Sequence, residues 1–177
     1  MAATNGAQPR DANRQVLTYL GPVLSNSKTL VGSNATVAVP LFTLTGTVMV
    51  TGLWGVVTTV LGANNTAAYF RLNDQTVQSN ITVNTGVTLS AAAAGSVIVK
   101  NGLAAAAAVL LSASQERVSE PTTLETLYFS PFVIVKKPAA TTQIEFVYST
   151  TDTPTSGAIQ FFVAYYPLSA DGDLAIV

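Results

Sequence analysis

The sequence predicts an all-β fold, a single-domain β-sandwich or jelly roll preceded by an extended N-terminal arm. Three observations predict it. Apolar and polar residues alternate with a period of two along several segments, which puts one set on each face of a strand. Those segments are rich in Val, Ile, Thr and aromatic residues, and Gly, Asn, Pro and Ser clusters separate them at short intervals. Helical candidates are few, and 177 residues suffice to bury one core.

Residues 1–35 read as the arm and 36–177 as the domain. Arg10, Asp11 and Arg14 follow Pro9, then comes a short apolar patch with Val16, Leu17, Tyr19 and Leu20, then a Ser/Asn/Gly-rich stretch to Asn34. Arg10, Asp11, Arg14, Val16, Leu17, Tyr19 and Leu20 are the candidate interaction residues. A flexible segment of this kind loses entropy on docking, so it is useful where it gains contacts with a neighbour. A frayed terminus is the alternative reading.

Strands begin at Val37. In residues 46–60, GTVMVTGLWGVVTTV, the side chains of Val48, Val50, Trp54 and Val56 share one parity, which makes Trp54 a core or interface anchor. Gly52 and Gly55 beside Leu53 and Trp54 suggest a bulge or bend. Turn residues Gly62, Ala63, Asn64 and Asn65 precede a further strand at 68–72. Residues 76–90 alternate again, with Val77, Ser79, Ile81 and Val83 opposed to Gln78, Asn80, Thr82 and Asn84, as in a strand with one wet face.

Asn101-Gly102 after residues 96–100 is a two-residue hairpin signal. The next run, 103–112, is open between strand and helix: its alanines favour helix, its surroundings favour strand. Residues 115–122 read as a charged surface loop. Pro131 breaks the strand-like 126–135, as on an edge strand or at a bulge. Residues 143–149 alternate with Ile144, Phe146 and Tyr148 opposed to Glu145. The final strand, 158–168, is apolar on both parities and reads as central.

The composition excludes much chemistry. There is no His and no Cys, and the chain carries eight Lys and Arg against nine Asp and Glu, a net charge of −1. Between Lys28 and Glu116 only Arg71, Asp74 and Lys100 are charged. Without His the usual base for a Ser or Thr nucleophile is missing, and without His or Cys a transition-metal site is disfavoured. No basic cluster offers a nucleic-acid or anionic-membrane surface. The most apolar run, 103–111, is about half of the roughly 20 residues a spanning helix needs. The opening MAATNGAQPRDANRQ lacks the apolar region of a signal peptide. A soluble, non-enzymatic chain with no cofactor, no metal, no nucleic-acid partner and no membrane partner is expected.

Other constellations have a plain reading. Asp74 with Glu145, or Glu116 with Glu120, could form a carboxylate pair, but nothing in their spacing makes them face each other. Asp171 and Asp173 could touch Ca²⁺, yet a calcium loop needs more oxygen ligands, so a polar tail is the reading. Trp54, Tyr128, Phe161, Phe162, Tyr165 and Tyr166 could build a sugar platform or fill a core. One of Tyr165 and Tyr166 must face away from that core.

Two segments carry a resemblance. Residues 45–59 fit the pattern T-G-T-V-x-V-x-x-(L/I)-x-G-x-V-T-T, and 157–168 fit G-x-I-x-(F/L)-x-(V/L)-x-Y-x-P-L, followed by Asp171 and Gly172. In these segments the chain resembles small virion proteins of tailed bacteriophages. It departs from them in lacking the Cys that many carry, and in its long uncharged stretch 29–70. Within that group it looks most like head-decoration or cement proteins. The resemblance implies a β-rich subunit, a homotrimer, bound to the major capsid protein on the outer surface of the capsid in the virion. It implies no catalytic residue. A tail-fibre or spike module that binds host glycan is the rival expectation.

Overall fold

Alternating segments become strands when one parity can be buried, and most of those read from the sequence do so. The computed structural model describes residues 21–32, 34–63, 65–83, 88–100, 109–111, 131–150 and 157–177. Its strands are Val23–Thr29 (β1), Thr36–Thr45 (β2), Thr47–Thr59 (β3), Asn65–Asn73 (β4), Gln78–Asn80 (β5), Val97–Val99 (β6), Val109–Leu111 (β7), Phe132–Val135 (β8), Thr142–Thr150 (β9), Ala158–Pro167 (β10) and Asp173–Ile176 (β11). They form a β-sandwich of two antiparallel sheets, and no helix occurs among the described residues. One sheet has six strands in the order β1-β10-β3-β6-β7, with β8 also paired to β3. The other has five, β11-β2-β9-β4-β5.

Successive strands β1 to β4, and again β8 to β11, alternate between the sheets, so their connections cross the ends of the sandwich. At the tightest crossing a single residue, Gly46, joins β2 to β3. Its φ of +55° suits glycine, and a Cβ there would lie 2.5 Å from an Asp171 carboxylate oxygen.

The inner faces fill with large side chains. Phe42, Leu44, Phe70, Ile144, Phe146 and Tyr148 from the smaller sheet meet Val48, Val50, Leu53, Ile159, Phe161 and Val163 from the larger. Aromatic rings join the layers: Phe146 and Phe161 have centroids 4.9 Å apart, and Phe70 meets Phe161 edge-on at 6.2 Å and 87°. Such pairs add about 0.5–1.5 kcal/mol beyond area burial. The Tyr148 hydroxyl donates to the Val31 carbonyl at 2.7 Å and accepts from the Val31 N–H at 2.9 Å, tying the segment after β1 to the core.

Four expectations change. First, the arm does not extend to residue 35, because Val23–Thr29 pairs along its whole length with β10. The Ser/Asn-rich stretch is tolerated because Ser25 and Ser27 face outward while the buried Asn26 amide donates to the Leu41 carbonyl at 2.7 Å. Second, among the described residues of 76–90 only Gln78–Asn80 is a strand; Ile81 and Thr82 then both turn their N–H groups to the Phe70 carbonyl. Third, Val97–Val99 and Val109–Leu111 pair antiparallel with residues 100–108 between them, so no two-residue turn joins them. Fourth, the parity read for β3 fails halfway along, which shapes the outer surface. Residues 1–20, including all the candidate interaction residues, lie outside the described residues, as do Asn101, Gly102 and 103–108.

Candidate interaction face

The outer face of the six-stranded sheet is set by one extra residue in β3. Val50 pairs with Tyr165 and Gly52 with Ala164, so Thr51 has no partner of its own and forms the bulge. Before it, Val48 and Val50 point inward; after it, Leu53 and Val57 do. Trp54 and Val56 are therefore turned outward, correcting the shared parity expected with Val48 and Val50. A bulge re-aims every later side chain of its strand, and only the flanking glycines hint at it in sequence.

Trp54 opposes Phe162 across the β3–β10 pair, and their rings stack with centroids 5.3 Å apart and planes 9° from parallel. Gly52 makes room for this. A Cβ on Gly52 would lie 2.8 Å from Trp54 Cζ3. Gly55, on the inner side, leaves space for the ring of its partner Phe161, whose Cδ1 is 2.9 Å from where a Cβ would stand. Phe161 and Tyr165 fill the core, while Phe162 and Tyr166 look outward. Tyr128 lies outside the described residues.

Register turns these side chains into uncharged rows. One row runs Ser25, Phe162, Trp54, Val99; a second runs Tyr166, Met49, Val133; a third runs Ser27, Gln160, Val56, Val97. Trp54, Phe162 and Tyr166 are half-buried, and Val133 and Val23 are more than half exposed. Exposed apolar surface of this kind, free of charge, marks interaction sites in soluble folds.

The outer face of the other sheet has the opposite character. Arg71 Nε donates to Glu145 at 2.7 Å, Asn73 Nδ2 donates to the same carboxylate at 2.9 Å, and Arg71 Nη1 reaches Gln78 at 2.7 Å. The Thr36 and Ser149 hydroxyls hydrogen-bond at 3.1 Å, and Gln143 donates to Thr43 at 3.3 Å. These polar side chains pair with one another across the face. The two outer surfaces are chemically distinct.

The acids considered for chemistry are occupied separately. Glu145 is held by Arg71 and Asn73, while Asp74 accepts the Thr76 and Val77 N–H groups and pairs with Lys137 at 3.1 Å. Those two backbone bonds, Val77 first, hold the Asp74 carboxyl below its usual pKa. Asp171 accepts from Ser169 Oγ at 2.7 Å, and Asp173 accepts from the Tyr165 hydroxyl. Burial, reinforced by that bond to Asp173, pushes the Tyr165 phenol up. No group of three or more His, Cys, Asp or Glu residues suited to a metal occurs among the described residues. Glu116 and Glu120 lie outside them. Lys100, at the end of β6, is buried with its ammonium 4.9 Å from the Phe132 ring centroid, and burial lowers its pKa.

No family model, no curated protein and no solved structure matches the chain.

Proposed function

We propose that the chain is a non-enzymatic virion structural protein, a capsid cement or decoration protein. It binds the major capsid protein on the outer surface of the head and adds apolar contact across joints between subunits. The observation that carries the reading is the uncharged aromatic outer face built on Trp54, Phe162 and Tyr166. Such a face can exclude water against a neighbour without burying an unpaired ion, which would cost several kcal/mol. Aromatic residues at the centre of a patch are also the usual anchors of an interface. The two segments that resemble phage virion proteins, 45–59 and 157–168, contain the paired central strands β3 and β10 that carry this face.

The test is co-sedimentation of the purified chain with phage heads stripped of accessory proteins. Binding that raises the temperature at which heads burst is expected, with Trp54→Asp weakening it at least tenfold and leaving the fold intact. No binding of the wild-type chain to any head would defeat the reading. The rival, a tail-fibre or spike module for host glycan, draws on the same aromatic residues, since sugars pack on exposed rings. Phe162 already occupies one face of the Trp54 ring, which leaves less of it for a sugar. Selective retention on a glycan array would favour that rival.

A further inference from the structure

The backbone of β1 offers a second, independent surface. The Tyr165 N–H donates to the Pro22 carbonyl at 3.2 Å and the Leu30 N–H to the Gly157 carbonyl at 2.9 Å. In the register between them, Leu24 opposes Val163, Asn26 opposes Phe161 and Lys28 opposes Ile159. The even-numbered residues therefore turn their backbone groups towards β10. Antiparallel geometry then points the N–H and C=O groups of Val23, Ser25, Ser27 and Thr29 away from the sheet. Among the described residues no strand pairs with that side.

Proteins usually blunt such edges with short strands, bulges, prolines or outward charges, because an open ladder invites another chain. Among the described residues the other outermost strands are short: β5 and β7 have three residues each, and β8 and β11 have four. β1 has seven, and it pairs with β10 without a register shift. Its proline, Pro22, precedes the strand. Its one cation, the Lys28 ammonium, is turned onto the Val177 carbonyl at 2.8 Å. The buried Asn26 amide is likewise bound inward. Ser27 and Thr29 are exposed, and Val23 is 53% exposed, so the edge is accessible.

We propose that this edge pairs antiparallel with the same edge of a second copy, across a two-fold axis at Asn26. The strand is self-complementary in that register. Ser25 faces Ser27 of the partner subunit, and Val23 faces Thr29 of the partner subunit. Every outward N–H and C=O of the four odd residues then gains a bond. No like charges oppose one another, since Lys28 faces Leu24 of the partner subunit. An isologous contact of this type closes on itself and does not propagate into fibres. It also extends the uncharged outer row from Trp54 and Phe162 through Ser25 into the second copy. This pairing goes beyond capsid binding and does not depend on it, and its two-fold symmetry differs from the three-fold that the virion resemblance implies.

Sedimentation velocity and hydrogen exchange on the full chain test it. Wild-type chain at tens of micromolar should sediment as a dimer or an even multiple. Amide exchange at Ser25, Ser27 and Thr29 should slow on the order of tenfold as concentration rises. Ser27→Pro removes an N–H that points away from β10, so the sheet is kept while the edge is blocked. Ser27→Lys places a cation beside the axis in each copy. Both variants should keep the wild-type circular dichroism and sediment at half the wild-type mass. An odd-numbered or monomeric wild type, or a folded variant of unchanged mass, would overturn the proposal. Should Ser27→Pro misfold, Ser27→Lys and the wild-type exchange data decide. Exchange at the odd-numbered amides that is independent of concentration would overturn it without any variant.

Discussion

Trp54 stands outside the core because Thr51 is an extra residue in β3, and its stability contribution should follow from that position. A half-buried ring stacked on Phe162 contributes roughly half of what full burial gives, so Trp54→Ala should cost about 1–2 kcal/mol. Phe161, fully buried between Phe70 and Phe146, should cost about 3–5 kcal/mol when cut to Ala. Denaturant unfolding of both variants checks the order, and a larger loss at Trp54 would place the ring in the core after all. Asp74 gives a pH signature. Its folded pKa lies below the unfolded value near 3.8, so the turn it caps is stabilised above that value. That stability is lost as pH falls through the depressed folded pKa. Asp74→Asn should therefore flatten the acid limb of a thermal-stability profile below about pH 4. An unchanged limb would mean that the Thr76 and Val77 bonds do not form in solution.

Strands with one clean alternation were legible in the sequence, and those whose logic lies in their neighbours were not. The inward set Ile144, Phe146 and Tyr148 of β9 could be read directly, as could the central place of β10 from its apolar residues on both parities. β3 was legible as a strand but not in its aim, because a bulge leaves the composition unchanged and reverses the parity. For that reason the sequence offered Trp54, Phe162 and Tyr166 as platform or core without separating them from Phe161 and Tyr165. β1 was hidden by its Ser and Asn residues: the serines face outward, and the buried Asn26 amide is satisfied by the remote Leu41 and Val177 carbonyls. Those partners stand 15 and 151 residues away in the chain, beyond any local pattern. This relocation of the arm boundary can be tested by truncation. Removing residues 1–20 leaves all the described strands and should leave cooperative melting unchanged; in the proposed role it should lower capsid binding if the Val16–Leu20 patch docks there. Removing 1–35 also takes β1 with its core contacts through Leu24 and Leu30, and should lower the melting temperature sharply or abolish the transition. Equal melting of the two truncations, followed by calorimetry, would show that β1 adds nothing to the sheet.

At the scale of the whole molecule, the sandwich separates a face of paired polar side chains from an uncharged aromatic one. A chain with few charges, and none among the outward side chains of the aromatic rows, is suited to contact with a large neighbour, where each buried ion would need a partner. In the proposed cement role, the binding free energy of such contacts adds to the stability of the shell. The most direct test of the proposed role is a density map of phage heads incubated with the chain, at a resolution that shows strands. The account predicts sandwich density on the outer shell across joints between capsid subunits, with β3 and β10 towards the shell and the Arg71–Glu145 face towards solvent. A map with no such density on the head, or with the Arg71–Glu145 face against the shell, would contradict it.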